Sequence, residues 1–237
     1  LSSWPLDLSP DDGHGLQQYN DRLWQWQLKA LREAKLQSQW DAPNEPYELA
    51  VKTFIERLLL QPAGLTLRME LFQACEAIAS AGAVNGLAQC LLKLTTPGVP
   101  DIYQGTDLWD LSLVDPDNRR AVDFQQRRQL LDTCPDEQML LQDWRSGAIK
   151  QALIARTLNL RAQHPQLFSH GSYIPLAVTG PRAGQILAFA RQWQDQTAVI
   201  VVPRLCAHDI QQQTPTFNSA SVWADTCIEL PSDRFGC

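Results

Sequence analysis

Large apolar residues recur every three or four positions as far as Leu167 and every second position beyond it, so the chain has to build helices first and a sheet afterwards. The helical part opens with Leu16, Tyr19, Leu23, Trp26, Ala30 and Ala34, a stripe that Trp24 and Leu28 widen. Trp40-Asp-Ala-Pro-Asn44 breaks it, and Asn44 ahead of Glu45 and Pro46 reads as the N-cap of a second helix. That helix passes through Ala50, Val51, Phe54, Ile55, Leu58 and Leu59 and stops at Pro62 and Gly64. Leu65 to Leu94 keeps the helical period. Ser80-Ala-Gly82 offers a place for a kink or for two helices that meet closely, and Pro97-Gly-Val-Pro100 is the stop. Asp101-Ile-Tyr103 has the look of a short buried parallel strand, Gln104 to Val122 of a loop at its C-terminal end, and Ile149 to Gln163 of a helix ending at His164-Pro165.

After the switch, Tyr173 to Val178, Gln185 to Trp193, Thr197 to Val202 and Ser221 to Leu230 are strand-like segments between turn residues, with Gln211 to Pro215 as a solvated hairpin loop. The domain boundary is expected near Phe168, giving residues 1–167 and a small antiparallel β domain over 168–237. The formal charge of −6, with no Lys/Arg run, argues against nucleic acid or an anionic lipid surface as partner. Unbroken apolar runs such as Ala198 to Val202 fall far short of the roughly 20 residues that span a bilayer, and no basic-then-apolar leader is present, so no membrane partner is expected. Cys75, Cys90, Cys134, Cys206, Cys227 and Cys237 form no CxxC pair and read as buried free thiols of a reducing, cytoplasmic compartment. His14, His164, His170 and His208 share no spacing, so no metal or general-base role is expected of them. Trp4, Trp24, Trp26, Trp144 and Trp193 are assigned to core or interface. The opening Leu1 to Leu8 lacks Met and needs a surface to cover its apolar residues, and Asp233 to Cys237 stops without a closing strand. Truncation is expected at both ends.

Chemistry is concentrated in Tyr103-Gln-Gly-Thr-Asp107-Leu-Trp109-Asp110 and in Asp115-Pro-Asp117-Asn118-Arg119-Arg120. Carboxylates accept from sugar hydroxyls, aromatic rings stack on pyranose faces and Gln or Asn fixes hydroxyl direction, so the mixture suits a neutral carbohydrate better than a phosphate. The plainer alternative is a well-ordered loop whose Asp and Asn residues make turns and whose arginines satisfy them. Lys35, with Glu33, stands between an ordinary solvated helix face and part of a sugar platform with Trp40 and Tyr47.

The run from Thr95 to Arg120 resembles the end of the catalytic barrel in the maltooligosyl trehalose synthase family, a branch of the alpha-amylase family. Gly98 to Gly105 is similar to the eighth barrel strand across the wider family, whereas Leu108-Trp-Asp-Leu-Ser-Leu-Val-Asp115 resembles the synthases in particular. Lys29-Ala-Leu-Arg-Glu-Ala-Lys35, Trp40, Pro43-Asn44 and Tyr47-Glu48 resemble their helical segment between the seventh and eighth strands. Ala81 to Asn85 with Leu87-Ala-Gln89, and Arg161 with His164-Pro165 and Leu167-Phe168, add two more matches.

The resemblance implies an α+β, partial α/β fold: the last strand and flanking helices of a (β/α)8 barrel, then the antiparallel β domain. It implies intramolecular transglucosylation, turning the reducing-end alpha-1,4 bond of a linear maltooligosaccharide into an alpha,alpha-1,1 bond without a cofactor. The family's Asp nucleophile, Glu acid/base and stabilising Asp lie on earlier strands, and no residue here matches any of them. No catalytic residue is therefore assigned, the preceding barrel region is an implied partner, and the chain alone is expected to be inactive. Lys35, Trp40, Asn44, Tyr47, Tyr103, Gln104, Asp107, Trp109, Asp110 and Arg119 are the candidate substrate contacts. Another alpha-amylase relative and a non-catalytic glucan-binding module are the alternatives.

Overall fold

A computed structural model describes residues 2–133 and 135–230. Leu1, Cys134 and the terminal segment with Asp233 and Cys237 lie outside the described residues. Helix α1 (Gly13–Ala34) begins ahead of its apolar stripe because the Asp12 carboxylate accepts from the N–H groups of His14 (3.1 Å) and Gly15 (3.0 Å). Helix α2 (Glu45–Leu59) is capped by Asn44, whose side chain accepts from the Tyr47 N–H at 3.3 Å, with Pro46 in the first turn as expected. Helix α3 (Leu65–Thr95) runs unbroken through Ser80-Ala-Gly82. The expected interruption fails because the small residues make room without breaking the hydrogen-bond ladder: Ser80 Oγ donates to the Gln211 carbonyl, and a Cβ on Gly82 would meet nothing within 4 Å. Gly82→Ala should therefore raise stability, by up to about 1 kcal/mol in urea unfolding, since alanine fits and restricts the unfolded chain. A lower midpoint would show that the site is not open. By length and composition the helical stretch Pro62–Thr95 is also able to cross a bilayer, a property hidden from a search for unbroken runs by scattered polar residues such as Arg68 and Glu70.

Helices α4 (Phe124–Thr133), α5 (Glu137–Gln142), α6 (Ala148–Gln163) and α7 (Pro165–His170) follow. Only α6 carries a legible period. Helix α4 is too polar to show a stripe, α5 is too short, and Pro165, read as a stop, begins α7 from its first turn. The strands are β1 (Ser172–Pro175), β2 (Val178–Thr179), β3 (Ile186–Trp193), β4 (Gln196–Pro203) and β5 (Cys227–Ile228). They form an antiparallel sheet in the order β1-β3-β4 and an antiparallel pair β2-β5. Of the expected strand Ser221 to Leu230 only β5 pairs, and Ala220–Trp223 is a 3-10 turn.

The expected parallel strand is also overturned. Asp101 to Tyr103 is irregular backbone, with no strand beside it among the described residues to share a ladder. Val99 is 97% exposed, and Ile102 lies half-buried against Cys90, Leu94 and Ile154. A single strand cannot satisfy its own backbone groups, and the parallel pairing that a barrel strand requires is not formed.

The described chain divides into two compact units: residues up to 77 with Asp110–Val122, and Ile78–Trp109 with residues from 123 onward. In the first, the apolar opening finds its cover. Trp4 and Leu8 are buried with Leu16, Tyr19 and Leu59, the Trp4 ring meets Tyr19 edge-on at 5.4 Å, and the Tyr19 hydroxyl bonds Ser3 Oγ at 2.9 Å. In the second, Ile174, Leu176, Ala188 and Ala190 make the core between the sheet and the β2-β5 pair. On the strand face that carries Phe189, the buried Arg191 donates to the carbonyls of Thr95, Phe168 and Gly171. Cys90 and Cys206 are buried free thiols, whereas Cys75 is half-buried and Cys227 exposed, against the expectation of burial.

Candidate functional site

In the first unit the charged end of α1 is turned to structural use. Arg32 donates from Nε and Nη2 to the two carboxylate oxygens of Glu48, each at 2.8 Å. Ser38 Oγ donates to the same carboxylate and accepts from the Asn44 N–H at 3.0 Å, so one buried acid ties α1, the connecting turn and the start of α2 together. The Arg32 fork, and then Ser38, hold the Glu48 carboxyl down to about 2. The same guanidinium lies 5.1 Å from the centre of the Trp40 ring, stacking on an indole that is 55% exposed.

Around this knot stand four of the candidate contacts. Trp40 and Tyr47 present exposed aromatic surface, Asn44 spends its side-chain oxygen on the helix cap, and Lys35 closes α1 in the left-handed region at φ 56° with its ammonium exposed. Residues 110–122 are fastened to α1 by two further pairs. Arg22 places Nε and Nη2 on the Asp117 carboxylate, each at 2.9 Å, and the Leu113 N–H adds a third bond at 2.7 Å. Burial pushes the Asp117 carboxyl up, but Arg22 and Leu113 together outweigh it and hold it below the usual range. Lys29 donates to Asp115, keeping that carboxyl low as well, and Arg119 pairs with Asp115 from an exposed position. Asp110 accepts from the Ser112 N–H at 3.0 Å and from its hydroxyl, closing a local turn.

In the second unit Tyr103 and Gln104 are exposed, and their side chains make no hydrogen bond among the described residues. Asp107 is occupied: it accepts from Arg127 Nε at 3.0 Å and from Gln151 Nε2 at 3.1 Å. Trp109 is half-buried, its indole N–H donating to the Trp144 carbonyl at 2.6 Å and its ring lying against Gly86. Gly147, at φ +83°, lets the backbone of Leu108 and Trp109 approach, because a Cβ there would stand 2.6 Å from the Trp109 nitrogen.

The candidates thus sort by chemistry. Trp40, Tyr47, Tyr103, Gln104 and Lys35 offer unspent surface or donors, whereas Asp107, Asp110, Trp109, Asn44 and Arg119 have side-chain bonds that order their own loops. Sequence reasoning missed Arg22, Arg127, Lys150 and Gln151, which hold those loops and carry no local signal. Lys29, Arg32 and Glu48 were visible only as members of the resembling motif. Among the described residues, no group of three His, Cys, Asp or Glu side chains could hold a metal ion.

No family model matches the chain. A Mycobacterium tuberculosis protein carrying the name maltooligosyl trehalose synthase is 39% identical over 170 residues, 72% of this chain and 20% of that protein. The solved maltooligosyltrehalose synthase from Arthrobacter ramosus superposes with a TM-score of 0.68 at 33% identity, over 90% of this chain and 26% of that one. A hypothetical maltooligosyl trehalose synthase from Sulfolobus tokodaii gives 0.61 at 29% identity, over 78% and 24%. The chain therefore spans about a fifth of the length of the curated relatives it matches. In sequence and in fold, over most of its length, the chain matches the C-terminal portion of maltooligosyl trehalose synthases.

Proposed function

We propose that the chain is the C-terminal part of a cytoplasmic alpha-amylase-family isomerase that acts on linear maltooligosaccharides, moving the reducing-end glucose from an alpha-1,4 to an alpha,alpha-1,1 linkage. The match to the synthases in both sequence and fold carries this reading. The helical part corresponds, on this view, to the end of a (β/α)8 barrel and residues 168–237 to its antiparallel β domain. The long apolar helix α3 then belongs to a protein interior rather than to a bilayer. Exposed Trp40, Tyr47 and Tyr103 supply ring surface for pyranose faces, and Gln104 and Lys35 supply donors for hydroxyls.

The catalytic acids belong elsewhere in the enzyme. A retaining reaction needs two carboxyl groups roughly 5 Å apart, one free to attack and one to give up a proton. Asp107, Asp115 and Asp117 are each held by cationic side chains, and Asp110 is bound in its own turn. We expect the 237-residue chain to form no trehalosyl product from maltohexaose by chromatography, and the same chain expressed in continuity with its upstream coding sequence to form it. Turnover by the chain itself would overturn the assignment of catalysis to other residues. An inactive extended protein lacking the three acids would remove the synthase reading.

A further inference from the structure

Residues 103–109 are irregular, so their carbonyls have no ladder to satisfy them and must find donors elsewhere. The Tyr103 carbonyl accepts from the Thr106 N–H and hydroxyl, and for residues 105–108 the donors come from α4 and α6. Arg127 donates from Nη2 to the Gly105 carbonyl at 2.8 Å, from Nε to the Asp107 carboxylate at 3.0 Å, and from Nη1 to the Asp123 carbonyl at 3.0 Å. Lys150 Nζ bridges the carbonyls of Thr106 (2.7 Å) and Leu108 (3.0 Å), and Gln151 Nε2 joins Asp107 (3.1 Å) to the Arg127 carbonyl (3.0 Å). Residues 105–108 are thereby fixed one after another by donors of which two are cationic, which are the stronger kind. Tyr103 and Gln104 precede the fixed stretch with side chains that make no hydrogen bond among the described residues, so the fastening sets where they stand without competing for them.

We propose that Arg127 is a positioning residue for glucan binding, acting through Gly105 and Asp107 to hold Tyr103 and Gln104 ready for sugar. It is the side chain that grips both the backbone and the carboxylate of this loop. Each of its three nitrogens donates to a protein oxygen and its side chain is only 16% exposed, so its place in the structure is to hold the loop. Held in place beforehand, the aromatic ring and the amide bind without first having to be ordered, and that ordering is a main cost of association. The inference rests on the glucan reading above.

Calorimetric titration of the full chain with maltopentaose, at sugar concentrations up to millimolar, tests it through a double-mutant cycle. Tyr103→Ala and Arg127→Met should each weaken binding about tenfold, the scale of one lost contact. The loss from Arg127→Met should be smaller in a Tyr103→Ala background, where only the part acting through Gln104 is left, because Arg127 acts through the residues it positions. Arg127→Lys should fall between, since an ammonium reaches one of the two acceptors but not both. Unchanged affinity in Arg127→Met, or the same fold-loss with and without Tyr103, would overturn the proposal. Should Arg127→Met fail to give a cooperative melt, Gln151→Leu, which removes the second bond to Asp107, is read by the same cycle. Absence of binding by the unsubstituted chain would show that these groups do not bind glucan in this chain by themselves and would overturn this inference, an outcome distinct from a failed cycle and from failure of the synthase reading.

Discussion

Replacing Arg191 by Met is expected to cost about 3–5 kcal/mol of folding stability, a large share of the 5–15 kcal/mol typical of a domain. Arg191 is 1% exposed and sits on β3, the central strand of the three-stranded sheet. It donates to the carbonyls of Thr95 (2.9 Å), Phe168 (3.0 Å) and Gly171 (2.8 Å). Thr95 is the last residue of α3 and Phe168 lies in the last turn of α7, so these are carbonyls that a helix leaves unpaired, at the negative end of its dipole. A guanidinium suits that place because its planar fork reaches several acceptors at once, and Arg161 adds a second such bond at the Leu94 carbonyl, 2.6 Å away. Burial, with Arg161 nearby, pulls the Arg191 pKa below its usual value, yet the carbonyls keep the cation where it is. Methionine fills the volume but leaves three carbonyls without a donor, each costing roughly 1–3 kcal/mol if buried. Urea unfolding at neutral pH measures the loss, and Arg191→Lys should recover only a minor part of it. A change below about 1 kcal/mol would mean that water or a shifted backbone replaces the fork.

What was legible in the sequence follows from which forces are local. Helices α1, α2 and α6 declare themselves by period, Asn44 by its cap signature, and strands β3 and β4 by alternation, because each feature is decided by residues within a turn or two. Asp101 to Tyr103 misled because strand character belongs to pairs: three suitable residues make a strand only if a neighbour runs beside them. Ser80-Ala-Gly82 misled for the opposite reason, since small residues permit a kink but do not cause one. At the candidate site, the exposed rings at Trp40, Tyr47 and Tyr103 could be proposed from composition. That Asp107 answers to Arg127 twenty positions away, or Asp117 to Arg22 across most of the first unit, is tertiary information that no spacing rule contains. The carboxylates that looked most like chemistry are those the fold uses as fastenings.

Acid should loosen those fastenings, and Asp117→Ala should show the size of one of them. The Asp117 carboxylate is 1% exposed and takes a two-nitrogen grip from Arg22, itself 17% exposed, so deleting the acid strands a mostly buried guanidinium at a cost of about 3 kcal/mol. The pH dependence has a definite sign. Glu48, Asp115 and Asp117 all have lowered carboxyl pKa values in the folded chain, Glu48 down to about 2. In the unfolded chain, the same groups take up protons near their ordinary values of roughly 4. Between those limits the unfolded state binds more protons than the folded one, so stability is fully present above about pH 5 and is lost progressively as pH falls toward 2. Because Arg32 and Glu48 meet through two parallel bonds, added salt at neutral pH should weaken this pair little. Urea midpoints taken at unit steps from pH 7 to pH 3 should therefore fall steadily below pH 5 in the unsubstituted chain. Glu48→Gln should start lower at pH 7 and descend less steeply, having already lost the group whose protonation the slope reports. A midpoint that stays level down to pH 3, or a Glu48→Gln profile parallel to that of the parent, would show that these ion pairs do not hold the first unit together.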